Sequence, residues 1–250
     1  MTQRIVLAYD GSPGGSNAIS WLASRHDADV VTLILDIGAG AALDGVRDQA
    51  LGRGATRAHV LEVQEEFARE VVIPAARAGA FGPGASMRAL LRPLLARKLV
   101  DVARIEKAAA VAFVTRGEDD ARLESLIAAL DARLSVIVAP ADGRPGQPVP
   151  ARRPAPAPSL STAAAHVDLV FEGGVPTTIN GIAMRLPELL DSLTTIAAEH
   201  GITGGEHPFV PAAVVLHSAY TALGSSSDGS VRLRVSQGSC VVCEDVKLEM

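Results

Sequence analysis

The densest chemistry in the chain follows an aliphatic run: Asp10-Gly11-Ser12-Pro13-Gly14-Gly15-Ser16. One carboxylate, two hydroxyls and three glycines share this short stretch. Ile5-Val6-Leu7-Ala8-Tyr9 precedes it, and Asn17 to Leu22, apolar at Ala18, Ile19, Trp21 and Leu22, follows it. The pattern reads as a buried strand, a Gly-rich turn and a helix. Such a turn points backbone N–H groups at an anion, a phosphate above all. Two further polar, Gly-containing groups stand after apolar runs: Asp36-Ile37-Gly38-Ala39-Gly40 and Arg116-Gly117-Glu118-Asp119-Asp120.

These groups need elements to position them, and the chain supplies an alternating series. Val30–Leu35, Ala58–Val63, Ala109–Thr115 and Ser135–Ala139 read as strands after the first. Between them, Leu43 to Leu51, Phe67 to Ala78 (with a kink expected at Pro74), Met87 to Lys107 and Asp119–Ala132 carry helical spacing. The expected fold class is α/β: a five-stranded parallel Rossmann-like sheet with helices on both faces. Ligands of such sheets bind beyond the carboxyl ends of the strands, and all three polar groups fall on that edge.

Residues 141–163 hold six prolines and no periodic apolar face, which reads as a semi-rigid linker. Beyond it a small α+β unit is expected. Val167–Phe171 pairs with Val175–Ile179 through Gly173-Gly174, and Asn180-Gly181 closes the return. Helices run from Pro187 to Gly201 and from Pro211 to Leu223, before a hairpin of Val231–Val235 with Cys240–Val242. The expected organisation is a nucleotide-binding-like domain at 1–140, a linker at 141–163 and a C-terminal unit at 164–250.

Composition narrows the classes. A formal charge of −5 and 3% aromatic residues argue against a nucleic-acid surface, and no apolar run approaches the ~18 residues of a membrane span. Two cysteines and the absence of an export signal suggest a cytoplasmic location. Cys240 and Cys243 are three apart on a strand and so face opposite sides, and the six His form no short chelating pair, so no metal site is expected.

The opening segment "IVLAYDGSPGGSNAISWL" resembles universal stress proteins, in which an Asp-Gly-Ser turn follows the first strand. It also resembles the opening of argininosuccinate synthases, A-Y-S-G-G-L-D-T-S ahead of an x-A-L-K-W-L helix. Further segments are similar to the latter family in the same order: "DIGAG", "LDGVRDQALGRGA", "EEFAREVVIPAARAGA", "LLRPLLARKLVDVA", "RGEDDARLE", "FEGGVPTTING", "EHGI" and "GSVRLRVSQGSCVV".

This resemblance implies a HUP-type sheet with a reduced synthetase-like domain, ATP with Mg²⁺ as cofactor, and a homo-oligomer or a partner protein. It implies nucleotide contacts from Ala8, Tyr9, Asp10, Gly11, Ser12, Ser16, Asp36 and Gly117. Substrate contacts would come from Arg92, Glu118, Asp119 and Arg122. The family's loop chemistry is altered: Asp10 stands at its Ser, Ser12 at its second Gly, Pro13 at its Leu, Gly14 at its Asp and Gly15 at its Thr. In the family's citrulline segment Y-x-x-x-T-S-x-A-R-P, Gly84, Arg88 and Ala89 replace Tyr, Thr and Ser, and Arg92-Pro93 remain. Glu118 replaces an Asn, while Asp119 and Arg122 are kept.

Bland roles are open to the same residues. Asp36 can cap a turn, Asp119 and Asp120 can serve a helix N-terminus, and Arg92 and Lys98 can line a solvated helix face. The expectation is a divergent pseudoenzyme that keeps adenine-nucleotide binding or a partner role. The alternative is an active ATP-dependent C–N ligase that forms AMP and pyrophosphate.

Overall fold

The computed structural model describes residues 3–38, 43–81, 87–115, 117, 120–140, 163–203 and 209–247. The chain forms two compact units, Met1–Val63 with Leu91–Arg153 and Gln64–Leu90 with Pro154–Met250.

In the first unit the strands are β1 (Gln3–Ala8), β2 (Ala28–Asp36), β3 (Arg57–Glu62), β4 (Ala110–Val114) and β5 (Ser135–Ala139). They pair in parallel in the order β3-β2-β1-β4-β5. The near-continuous apolar runs have their cause here, because both faces of the sheet are covered. Ile5 and Leu7 of β1 pack with Ile19 and Leu22 of α1 (Pro13–His26) and Ala50 of α2 (Leu43–Gly52). Val6, one residue out of phase, faces the opposite side. There it joins Leu99 and Ala103 from α5 (Met87–Glu106), and Leu123 and Ile127 from α6 (Asp120–Leu130).

The second unit begins with a helical stretch inside the first unit's sequence. It comprises α3 (Gln64–Phe67), a widened π-type segment at Ala68–Val72, and α4 (Ile73–Arg77). The Pro74 kink of the sequence takes this form. A proline ring clashes with the carbonyl four residues back, and the wider turn relieves that clash, with Ile73 N–H bonding to the Ala68 carbonyl. The alternating pattern places this stretch with the parallel sheet, whereas it packs within the second unit.

That unit's antiparallel sheet has the order β10-β9-β6-β7-β8, from β6 (Ala165–Glu172), β7 (Val175–Ile179), β8 (Ile182–Ala183), β9 (Gly229–Ser236) and β10 (Ser239–Lys247). The two-residue β8 is absent from the sequence reading. It exists because Asn180 (φ 50°) and Gly181 (φ 78°) both take left-handed backbone and turn the chain back on β7. Helices α7 (Leu186–Glu199) and α8 (Val210–Leu223) bring the unit's apolar side chains, with the rings of Phe171 and Tyr220 edge to face at 5.2 Å. The Pro-rich stretch at 141–162 lies outside the described residues.

Candidate functional site

In the parallel sheet, β1 lies between β2 and β4, so the connections leaving β1 and β4 run to opposite faces. In sheets of this kind ligands bind beyond the carboxyl ends of the strands where the order switches, which here is between the loops after β1 and β4. The sequence-predicted loops therefore leave one edge of the sheet: Tyr9–Ser16 after β1, Asp36–Gly38 after β2, and Thr115 and Gly117 after β4.

The loop after β1 is closed upon itself. Tyr9 N–H continues the ladder to the Leu33 carbonyl at 2.8 Å. Gly11 has φ +75°, a left-handed backbone that favours glycine, and a Cβ there would crowd both Val46 methyls at 3.2 Å. Ser12 takes extended backbone as the N-cap of α1, its Oγ accepting from Gly15 N–H at 3.1 Å, with Pro13 opening the helix. The Asp10 carboxylate accepts the Ser12 N–H at 3.0 Å. An anion at a helix N-terminus is favoured by the helix dipole, and in this chain Asp10 itself supplies it. Ser16 Oγ lies 2.9 Å from the Tyr9 hydroxyl and accepts from Gln49 Nε2 at 3.1 Å, and Ser16 is 2% exposed.

The other rim residues also act on the backbone around them. Asp36 Oδ1 accepts Gly38 N–H at 2.9 Å, closing the turn after β2. Thr115 Oγ1 donates to Asp120 Oδ2 at 2.6 Å across the loop after β4, and Gly117 has φ +102°. Arg122 is exposed on the first turns of α6. Glu118 and Asp119 lie outside the described residues. The solvated-face reading of Arg92 is corrected: it is 6% exposed, because it stands one turn before Ala96 and two before Leu99 on the buried face of α5. Lys98 is half-buried.

Residues 4–145, more than half of the chain, match the family described as the arginosuccinate synthase N-terminal HUP domain. The chain belongs to the argininosuccinate synthase family. The argininosuccinate synthase of Streptococcus suis (strain 05ZYH33) is 32% identical over 255 residues, covering 82% of this chain. That of Nitratidesulfovibrio vulgaris (strain DP4) is 43% identical over 139 residues, covering 54% of this chain and 35% of the relative. The chain spans 64% of the length of the Streptococcus suis synthase.

Similarity to solved structures is more distant. A predicted subunit of tRNA methyltransferase from Methanocaldococcus jannaschii aligns at TM-score 0.41 and 12% identity, over 55% of this chain and 68% of that one. A universal stress protein from Archaeoglobus fulgidus in complex with dAMP aligns at TM-score 0.30 and 14% identity, over 56% and 98%.

In the loop after β1 the Ser12, Gly15 and Ser16 amides are already engaged within the loop. A polyphosphate held here would compete with Asp10 for the Ser12 amide and with Ser12 Oγ for the Gly15 amide, and it would meet a buried Ser16 hydroxyl. The residues present do not fit ATP with Mg²⁺ in the loop's observed state. Among the described residues no three His, Cys, Asp or Glu side chains gather to hold a metal. Gln49 and Val46, which complete the loop from α2, escape sequence reasoning. Their only signal is the i, i+3 spacing that places both on one helix face.

Proposed function

We propose that this chain is an argininosuccinate-synthase-like protein that retains an adenine-nucleotide rim but does not ligate citrulline to aspartate. The observation that carries the reading is the hydrogen bond from Ser12 N–H to the Asp10 carboxylate, which puts a fixed negative charge where the leaving pyrophosphate would need donors. Catalysis of such a ligation depends on donors held ready for developing phosphate charge, and a carboxylate in that place opposes it. Nucleotides with short phosphate tails suit the rim better than ATP. Loss of the family's Tyr, Thr and Ser at Gly84, Arg88 and Ala89 supports the same conclusion for citrulline.

The test is calorimetry with ATP and AMP, with and without Mg²⁺, on the wild type and Asp10→Ala, alongside ATP–pyrophosphate exchange with citrulline and aspartate. AMP binding without exchange is expected. Exchange that depends on citrulline and aspartate overturns the proposal and establishes an active C–N ligase. Assembly with a second copy belongs to the same reading, and light scattering checks it: a monodisperse monomer removes that part.

A further inference from the structure

The second unit carries an open groove of about 680 Å³ whose lining among the described residues includes two arginines, one of them ion-paired with Glu65. Buried Ile73, exposed Pro74 and half-buried Val175 provide apolar wall, and the exposed Arg69 and Arg77 provide the charge. Arg77 is held in position. Its guanidinium carbon stands 4.9 Å from the centre of the Tyr220 ring, and Nη2 donates to the Gly174 carbonyl, which also accepts from the Tyr220 hydroxyl at 3.0 Å. Gly174 has φ +74°, and a Cβ there would overlap the Arg77 guanidinium, so the glycine makes the clamp feasible. The turn beneath is pinned as well, with Gly173 N–H on Asp228 Oδ1 at 2.7 Å and Gly174 N–H on the Ser227 carbonyl at 2.6 Å. Arg69 pairs with Glu65 through Nε at 2.6 Å.

A guanidinium already ordered loses little further freedom when it binds, and its planar fork matches a carboxylate. We infer that this groove binds a small organic carboxylate, its charge on Arg77 and Arg69 and its apolar body on Ile73, Pro74 and Val175. Every residue that forms this site belongs to the second unit, whereas the rim loops belong to the first.

The probe pair is hexanoate and its neutral isostere hexanamide, titrated by calorimetry into the full chain. Saturable binding of hexanoate but not hexanamide is expected. Arg77→Gln is expected to weaken it by about tenfold or more, as loss of a charge-assisted pair does. Arg69→Gln leaves the Gly174 clamp intact, so it tests the charge even if Arg77→Gln does not fold. No saturable hexanoate binding, equal binding of the amide, or binding undiminished in the folded variants overturns the inference.

Discussion

The Glu106 carboxylate lies 2.7 Å from Nε2 of His59, at the end of the sheet away from the rim loops. Glu106 closes α5, its side chain is 2% exposed, and it also accepts from Arg57 Nη1 at 3.2 Å and Arg4 Nη1 at 3.4 Å. One buried carboxylate thus ties α5 to the starts of β1 and β3. Burial raises its pKa, but the hydrogen bonds and charges of His59 and Arg57 together outweigh burial and hold it below the ordinary 4.5.

A pH prediction follows from that sign. Because the folded-state pKa is depressed, the stabilisation from Glu106 is present above about pH 4.5 and is lost as pH falls through the folded value. Melts of the wild type between pH 7 and pH 3 are expected to show a steeper decline below pH 4.5 than melts of Glu106→Gln. At pH 7 the variant is expected to be less stable by about 1–3 kcal/mol, below the full cost of breaking a buried pair because Arg4 and Arg57 are partly solvated. Parallel pH profiles would remove Glu106 as the titrating group.

The Tyr9–Ser16 contact is buried and measurable. Ser16→Ala leaves the Tyr9 hydroxyl and the Gln49 amide short of a partner, and about 1–2 kcal/mol of destabilisation is expected. A double-mutant cycle with Tyr9→Phe should show coupling of roughly 0.5–1.5 kcal/mol by urea unfolding. Strict additivity would mean that the two hydroxyls act independently.

Asp10→Asn keeps an oxygen for Ser12 N–H but removes the charge. Stability should change by no more than about 0.5 kcal/mol, since Asp10 is exposed. ATP affinity is expected to rise about fivefold relative to AMP, the effect of one unit charge at roughly 4 Å under water-like screening. An unchanged ATP-to-AMP ratio would place the discrimination elsewhere on the rim.

Gly174→Ala combines a left-handed backbone with a Cβ in the space of Arg77. A loss of about 1–2 kcal/mol is expected. Because the strain is local to the turn between β6 and β7, amide exchange should accelerate in those strands while β1 and β2 of the parallel sheet keep their protection. Uniform acceleration throughout the chain would contradict a local origin.

The amino-acid sequence by itself determined the repeating elements and the family. Short apolar runs bounded by turn residues, such as Ile5–Leu7 and the β-branched Val30–Leu35, read as strands buried on both faces, and the ordered series of similar segments is legible without any distance. Periodicity also located Asp10–Ser16 on a strand-to-helix turn. Tertiary structure alone decided the rest, because the deciding partners are far apart along the chain. The order β3-β2-β1-β4-β5 sets where the switch point lies, and no local pattern specifies the pairing of β1 with the distant β4. Glu106 meets residues 4, 57 and 59 only after the sheet has formed. The burial of Arg92 and the packing of Gln64–Arg77 within the second unit likewise depend on which surfaces compete for each helix face. At the rim, the sequence shows an acidic residue beside a phosphate-type loop. The folded chain directs that carboxylate to the Ser12 amide, so the loop supplies its own anion.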